Sequence, residues 1–318
     1  MMKKIIKKID EQIAAGIYPG ASLALYSDGV WQEHYRGVED PERNHSVREG
    51  LVYDLASVSK VVGVGTVVAF LIDKGRMTLD QSLQSLYPDF SAPQVTIRQL
   101  LTHTSGLDPF IPNRDQLDEQ GLKAALNQLT VLEDKSFRYT DVNFLLLGFM
   151  LEEFFGLSLD EIFEKLIFQP WKLTKTSFGP VTEAVPTVRG VRAGRVHDPK
   201  AQVLGKHTGS AGLFSTVQDM ESFLEHYLQD AFAEKLSKNY SLEVGKTRSL
   251  AWNIEGEWLD HTGYTGTFLM YNRKQQQAVV FLSNRTYEKD ERSQWIQDRN
   301  ELMQLIKKEF SLASPLSS

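Results

Sequence analysis

Ala56-Ser57-Val58-Ser59-Lys60 runs straight into Val61-Val62-Gly63-Val64-Gly65-Thr66-Val67-Val68-Ala69. Residues three apart on a helix are neighbours, roughly 5–6 Å between Cβ atoms, so Ser57 and Lys60 share one face. An alcohol beside an amine is a way to build a serine nucleophile without histidine, because an amine that is neutral part of the time accepts the hydroxyl proton. The same string is also an ordinary helix start, with Ser57 as the cap and Lys60 solvated. The apolar run behind it argues instead for a buried first turn. Gly63 and Gly65 cost about 1 kcal/mol each against alanine in a helix, and they predict close packing at that point.

Outward from this stretch the chain changes character twice. Before it, Ile5, Ile6, Ile9 and Ile13 form a helical stripe, and Gly20 to Tyr26 and Trp31 to Gly37 read as two strands around Ser27-Asp28-Gly29, whose Asp-Gly is a hairpin signal. After it, residues 61–72, 96–101, 141–155, 159–166 and 217–228 read as helices. The last third returns to strands at 249–253, 257–261, 266–271 and 277–283, followed by a helix over about 292–310. Single hairpins are marginal alone, so the early and late strands are expected to share one sheet between the first and last helices. The division expected is residues 1–56 with 230–318 as an α/β lobe carrying the antiparallel sheet and 57–229 as a mainly helical lobe, together one domain. Ser57 then lies at the lobe junction, where pockets tend to form.

The 318 residues are 42% apolar and 10% aromatic, enough for a sizeable core. A net charge of −6 with no block of lysine or arginine gives no footprint for nucleic acid. With no cysteine, thiol catalysis and cysteine-bound zinc are excluded. His34, His45, His197, His207 and His226 are dispersed and no His-Glu-x-x-His occurs, so no metal and no cofactor is expected. Charges interrupt the amino-terminal stretch before any apolar signal-peptide core develops, and the apolar run 61–72 is shorter than the roughly 20 residues of a membrane span. The expectation is a cytoplasmic protein with no membrane partner.

Two further strings join the first. Tyr139-Thr140-Asp141 precedes an apolar helix at which Asp141 is a natural cap, and His261-Thr262-Gly263-Tyr264-Thr265-Gly266-Thr267 lies between two strands. Ser-x-x-Lys, then Tyr-x-Asp, then His-Thr-Gly, in this order, resembles the signature of the penicillin-recognising serine enzymes, in the branch of class C β-lactamases, D,D-peptidases and related esterases. Leu100-Leu101-Thr102-His103-Thr104-Ser105-Gly106-Leu107 and Gly209-Ser210-Ala211-Gly212-Leu213-Phe214-Ser215-Thr216 resemble strings of the same family, and the likeness spans roughly residues 18–285. Gly-x-Ser-x-Gly is missing, which disfavours an α/β-hydrolase.

The resemblance implies an α+β fold of β-lactamase/transpeptidase type, with an antiparallel sheet, flanking terminal helices and an inserted helical lobe. It implies Ser57 as the acylated nucleophile, Lys60 as its partner in proton transfer and Tyr139 as the phenol that relays protons. The amides of Ser57 and Tyr264 would then form the oxyanion hole, and Asp141, His261, Thr262 and Gly263 would line the substrate site. His103 is read as a loop-holding residue and not as a base.

Two positions depart from the pattern. Asp141 stands where lactamases carry asparagine, and His261 where they carry lysine, a loss of up to two positive charges unless Arg138 or another cation compensates. Asp141 beside Lys60 would also favour the ammonium and raise its pKa, making Tyr139 the working base. These changes point to small esters or amides, with carboxylate-bearing peptides and β-lactams as the alternative. A penicillin-binding or regulatory module with little turnover is the reading from another class.

Overall fold

The computed structural model describes residues 2–313. Its main sheet begins with β1 (Gly20–Ser27) and β2 (Val30–Asp40), a hairpin closed by two residues, Asp28 and Gly29, both at positive φ as such a turn requires. Next come β3 (His45–Ser46), β4 (Tyr53–Asp54), β5 (Ser177–Phe178) and β6 (Leu213–Ser215), then β7 (Asn253–Glu255), β8 (Trp258–Thr262), β9 (Phe268–Asn272) and β10 (Gln277–Ser283). The order β3-β2-β1-β10-β9-β8-β7 makes one antiparallel sheet in which the amino-terminal strand β1 pairs with β10, in register from Ala21 with Ser283 to Tyr26 with Ala278. This is the β-lactamase/transpeptidase-like architecture that the sequence implies.

The central strands are apolar on both faces because both faces are covered. Leu23, Leu25, Val279 and Phe281 pack with Ile5, Ile9, Ile306 and Phe310 of the terminal helices Met2–Ala14 and Arg292–Ala313. Ala24, Val280 and Leu282 face the other way, into the core of the mostly helical segment between β3 and β7. The centre of that segment is the helix Val142–Phe155, buried along every residue from Val142 to Leu151. A small sheet, β4-β6-β5, runs beneath the site. Two of its strands have two residues and show no alternation in the sequence.

The segment after Ser57 is a 3-10 turn over Ala56–Val58, a π-turn over Val61–Gly65, and an α-helix over Thr66–Asp73. A Cβ on Gly63 would meet the Phe163 ring at 2.4 Å and one on Gly65 the Ala251 Cβ at 2.8 Å, so the close packing expected there is present. The stretch Ala56–Asp73 is long and apolar enough to cross a bilayer, longer than the apolar run suggested, but 78% of it is buried as the core helix of this fold.

Residues 249–253, expected to be a strand, are not one until Asn253. Ala251 sits at φ +71° and the Ser249 amide donates to the Trp252 carbonyl at 2.9 Å, which folds these residues into a tight turn. Gly266, at φ +105°, likewise belongs to the turn before β9 and not to the strand.

Candidate active site

Ser57 sits one residue beyond a strained position. Ala56 has φ +46°, a conformation that costs a non-glycine residue on the order of 1 kcal/mol or more. The strain is held by neighbours: the Ala56 amide donates to Asp54 Oδ1 at 2.8 Å, and Thr265 and Thr267 donate their hydroxyls to the carbonyls of Asp54 and Leu55 at 2.8 and 2.9 Å. Gly263 is required here, because a Cβ would lie 2.6 Å from the Leu55 carbonyl and 2.1 Å from Thr267 Oγ1. The turn after β8 is thereby pressed against the turn that carries Ser57. Neither the Ser57 nor the Tyr264 backbone amide donates to another group among the described residues.

Lys60 is fully buried, and its Nζ donates to Ser57 Oγ at 2.8 Å, to Asp141 Oδ1 at 2.7 Å and to the Ser210 carbonyl at 2.9 Å. Burial alone would lower the pKa of this amine, but Asp141 and Tyr139 more than reverse it and hold the ammonium above the usual lysine range. The Asp141 carboxyl is held far below the ordinary carboxylate range: burial works against ionisation, and Lys60 and Lys200 overcome it. Asp141 does occupy the cap position of Val142–Phe155, yet its side chain makes no capping bond, because both oxygens are turned to lysines. Lys200 Nζ lies 3.0 Å from Asp141 Oδ2 and 3.4 Å from Asp198 Oδ2.

Tyr139 stands at the mouth, 40% exposed, with its ring centroid 5.2 Å from Lys60 Nζ. Its ring lies against His103 at 4.5 Å and faces His261 at 6.2 Å. His103 Nδ1 meets Asn143 Nδ2 at 2.9 Å, and the His103 carbonyl accepts from the Arg138 amide at 2.9 Å, so this histidine ties the turn at 102–107 to the segment that bears Tyr139. His261 is buried at the end of β8, and among the described residues no side chain hydrogen-bonds to its ring. Burial, then the neighbouring charges of Arg248 and Lys60, pushes both imidazoles well below their ordinary pKa, so both are neutral.

All eight residues singled out in the sequence lie around this one centre, or in the turn that abuts it. Thr262 Oγ1 accepts from Arg299 of the last helix at 3.1 Å, and the Tyr264 ring lies between His197, 5.5 Å away, and the Arg285 guanidinium, 4.5 Å away. Of the cations that could compensate, Arg138 is not the one the structure supplies. Arg138 is exposed and forms no ion pair among the described residues. The compensating cations are Lys200 on Asp141, and Arg248, buried behind Phe137 and bonded to Asn253 and to the Ala251 carbonyl. Burial pushes the Arg248 pKa down to about 10, leaving it charged at neutral pH. Neither residue carries a local signal. Asp54 was missed for the same reason: its carboxylate bridges the amides of Ala56 and His197, and burial pushes its pKa up to about 6.

A β-lactamase family model matches residues 5–303 of the chain. The chain belongs to the β-lactamase family. Like other members it is a serine hydrolase. This β-lactamase-family hydrolase is 26% identical to an Escherichia coli O157:H7 protein with the provisional name D-alanyl-D-alanine carboxypeptidase, over 88% of this chain and 81% of that one. Among solved structures it resembles a β-lactamase/D-alanine carboxypeptidase from Pseudomonas syringae, with a TM-score of 0.78 at 18% identity over 98% of this chain and 99% of the other. It also resembles EstCE1, a hydrolase with promiscuous acyltransferase activity, with a TM-score of 0.76 at 19% identity over 94% and 97%.

Proposed function

We propose that this family member cleaves small esters or amides through an acyl-enzyme on Ser57. The observation that carries the reading is the row formed by Ser57 Oγ, Lys60 Nζ and the Asp141 carboxylate, with steps of 2.8 and 2.7 Å. An ammonium so firmly charged is a poor base at neutral pH, so Lys60 orients the hydroxyl while the proton of Ser57 is relayed through the Tyr139 hydroxyl. Oγ bonds to the acyl carbon and the leaving alkoxide takes the proton from Tyr139. Water then attacks the acyl-enzyme along the reverse route. The free amides of Ser57 and Tyr264 receive the developing oxyanion, where one donor typically matters by about 10²–10³ in rate.

His261 is neutral and Asp141 is ionised, so the positions where lactamases carry a lysine and an amide donor offer a substrate carboxylate no cation and no N–H donor. Neutral substrates suffer least from that exchange. One observation favours the second reading, a D,D-carboxypeptidase or β-lactamase: Arg299, bonded to Thr262, brings a cation to the third motif.

The test is the initial rate on a short-chain p-nitrophenyl ester beside a chromogenic cephalosporin, for wild type and Ser57→Ala. Fast ester cleavage that falls at least about 10³-fold in Ser57→Ala, with little cephalosporin turnover, supports the proposal. Fast cephalosporin turnover supports the second reading. A stable Ser57 adduct with no product release supports a binding module instead.

A further inference from the structure

The segment His197-Asp198-Pro199-Lys200 lies more than fifty residues from each of the three motifs, yet it closes a ring of contacts around the nucleophile. The His197 amide donates to Asp54 Oδ2 at 2.8 Å, and the other oxygen of Asp54 holds Ala56, next to Ser57. Asp198 Oδ1 caps the helix Pro199–Leu204 through the Ala201 amide at 2.9 Å, and its Oδ2 steadies Lys200. Lys200 in turn takes the one carboxylate oxygen of Asp141 that Lys60 leaves free. Its side chain is 15% exposed, so the ion pair is largely withdrawn from solvent and weakly screened.

We propose that Lys200 is a positioning residue for acyl transfer, acting through Asp141 by supplying the counter-charge that lets an aspartate stand beside Lys60. The proposal rests on reading Ser57 and Lys60 as the acylating pair. Lys60, Asp141, Lys200 and Asp198 sum to zero charge. Removing Lys200 alone leaves the group one unit negative just where an oxyanion has to form, and frees Asp141 Oδ2 to swing onto Lys60 and draw it from Ser57 Oγ. Burial opposes the charged form of Lys200, but Asp141 and Asp198 overcome it and keep the ammonium intact.

Charge parity gives the test. Lys200→Met, Asp141→Asn and the double variant are compared for kcat/KM on p-nitrophenyl acetate across pH, with near-UV circular dichroism as the folding check. Lys200→Gln serves as a second variant that keeps polar contacts without the charge. Lys200→Met and Lys200→Gln are expected to lose about 10- to 100-fold, the size of one to two pKa units of charge stabilisation. Asp141→Asn with Lys200→Met restores neutrality, and it is expected to exceed Lys200→Met and to lie within about threefold of Asp141→Asn, the limit of ordinary non-coupling between sites. Multiplicative losses, with the double variant as far below Asp141→Asn as Lys200→Met is below wild type, would overturn the proposal, as would full activity in Lys200→Gln. Ester cleavage that survives Ser57→Ala undiminished would instead sink the acyl-enzyme reading itself, with Lys200 not at issue.

Discussion

The two sides of the cleft satisfy their polar groups in opposite ways. On the Lys60 side the charges are paired in a chain, Lys60 with Asp141 at 2.7 Å and Asp141 with Lys200 at 3.0 Å. On the His261 side some buried polar atoms have no hydrogen-bond partner among the described residues, namely Nε2 of His103 and Nε of Arg248. A buried donor or acceptor left unpaired costs about 1–3 kcal/mol. The paired side therefore sets charge and geometry, whereas the unpaired side holds uncommitted hydrogen-bonding capacity next to Tyr139.

The largest effect should come from breaking the paired side. Lys60→Met removes the donor to Ser57 Oγ and leaves Asp141 facing an apolar chain, and kcat/KM on p-nitrophenyl acetate is expected to fall by about 10³-fold or more. A loss under tenfold would show that the pairing is structural only.

Putting a cation on the unpaired side sharpens the contrast. His261→Lys places an ammonium near Arg248 and Lys60, so kcat/KM for a carboxylate-bearing substrate should rise about tenfold relative to the neutral ester, equivalent to about 1.4 kcal/mol. Stability should drop, because the new charge is buried among cations. An unchanged substrate ratio would remove His261 from the specificity argument.

A third effect is in stability against pH, and its windows differ between the sides. The folded-state pKa of His261 is lowered, so below about pH 6.5 the unfolded chain takes up a proton that the folded chain refuses, and stability is lost as pH falls through that range. Asp141 also has a lowered pKa, so its contribution is present above its ordinary value near 4 and is lost only as pH falls below that. His261→Gln should therefore gain on wild type between pH 7 and 5 by at most about 1.4 kcal/mol per pH unit, followed by urea unfolding at several pH values, whereas Asp141→Asn should show no such trend until below pH 4. A pH-independent gap for His261→Gln would mean the imidazole binds its proton equally in the folded and unfolded chain.

What the sequence disclosed follows the same division. Ser57, Lys60, Tyr139, Asp141 and the His261-Thr262-Gly263 string belong to short motifs in which chemistry fixes the spacing, and the hairpin at Asp28-Gly29 and the apolar β10 are local patterns too. Lys200, Arg248 and Asp54 carry no such mark, because each acts through a partner more than fifty residues away or through backbone groups. Residues 249–253 were misread because an alternating apolar run is blind to a left-handed Ala251. Two-residue strands such as β4 and β5 are too short to show a period at all.

The pairing of β1 with β10 has a consequence for how the molecule comes into being. Ser57 and Lys60 leave the ribosome early, but Thr265, Thr267 and β10, which brace their turn and their sheet, come more than two hundred residues later. At about 5–20 residues per second the first strand waits roughly 10–50 s for its neighbour. A nascent chain thus carries the Ser57 turn without its braces until Thr265, Thr267 and β10 have been made.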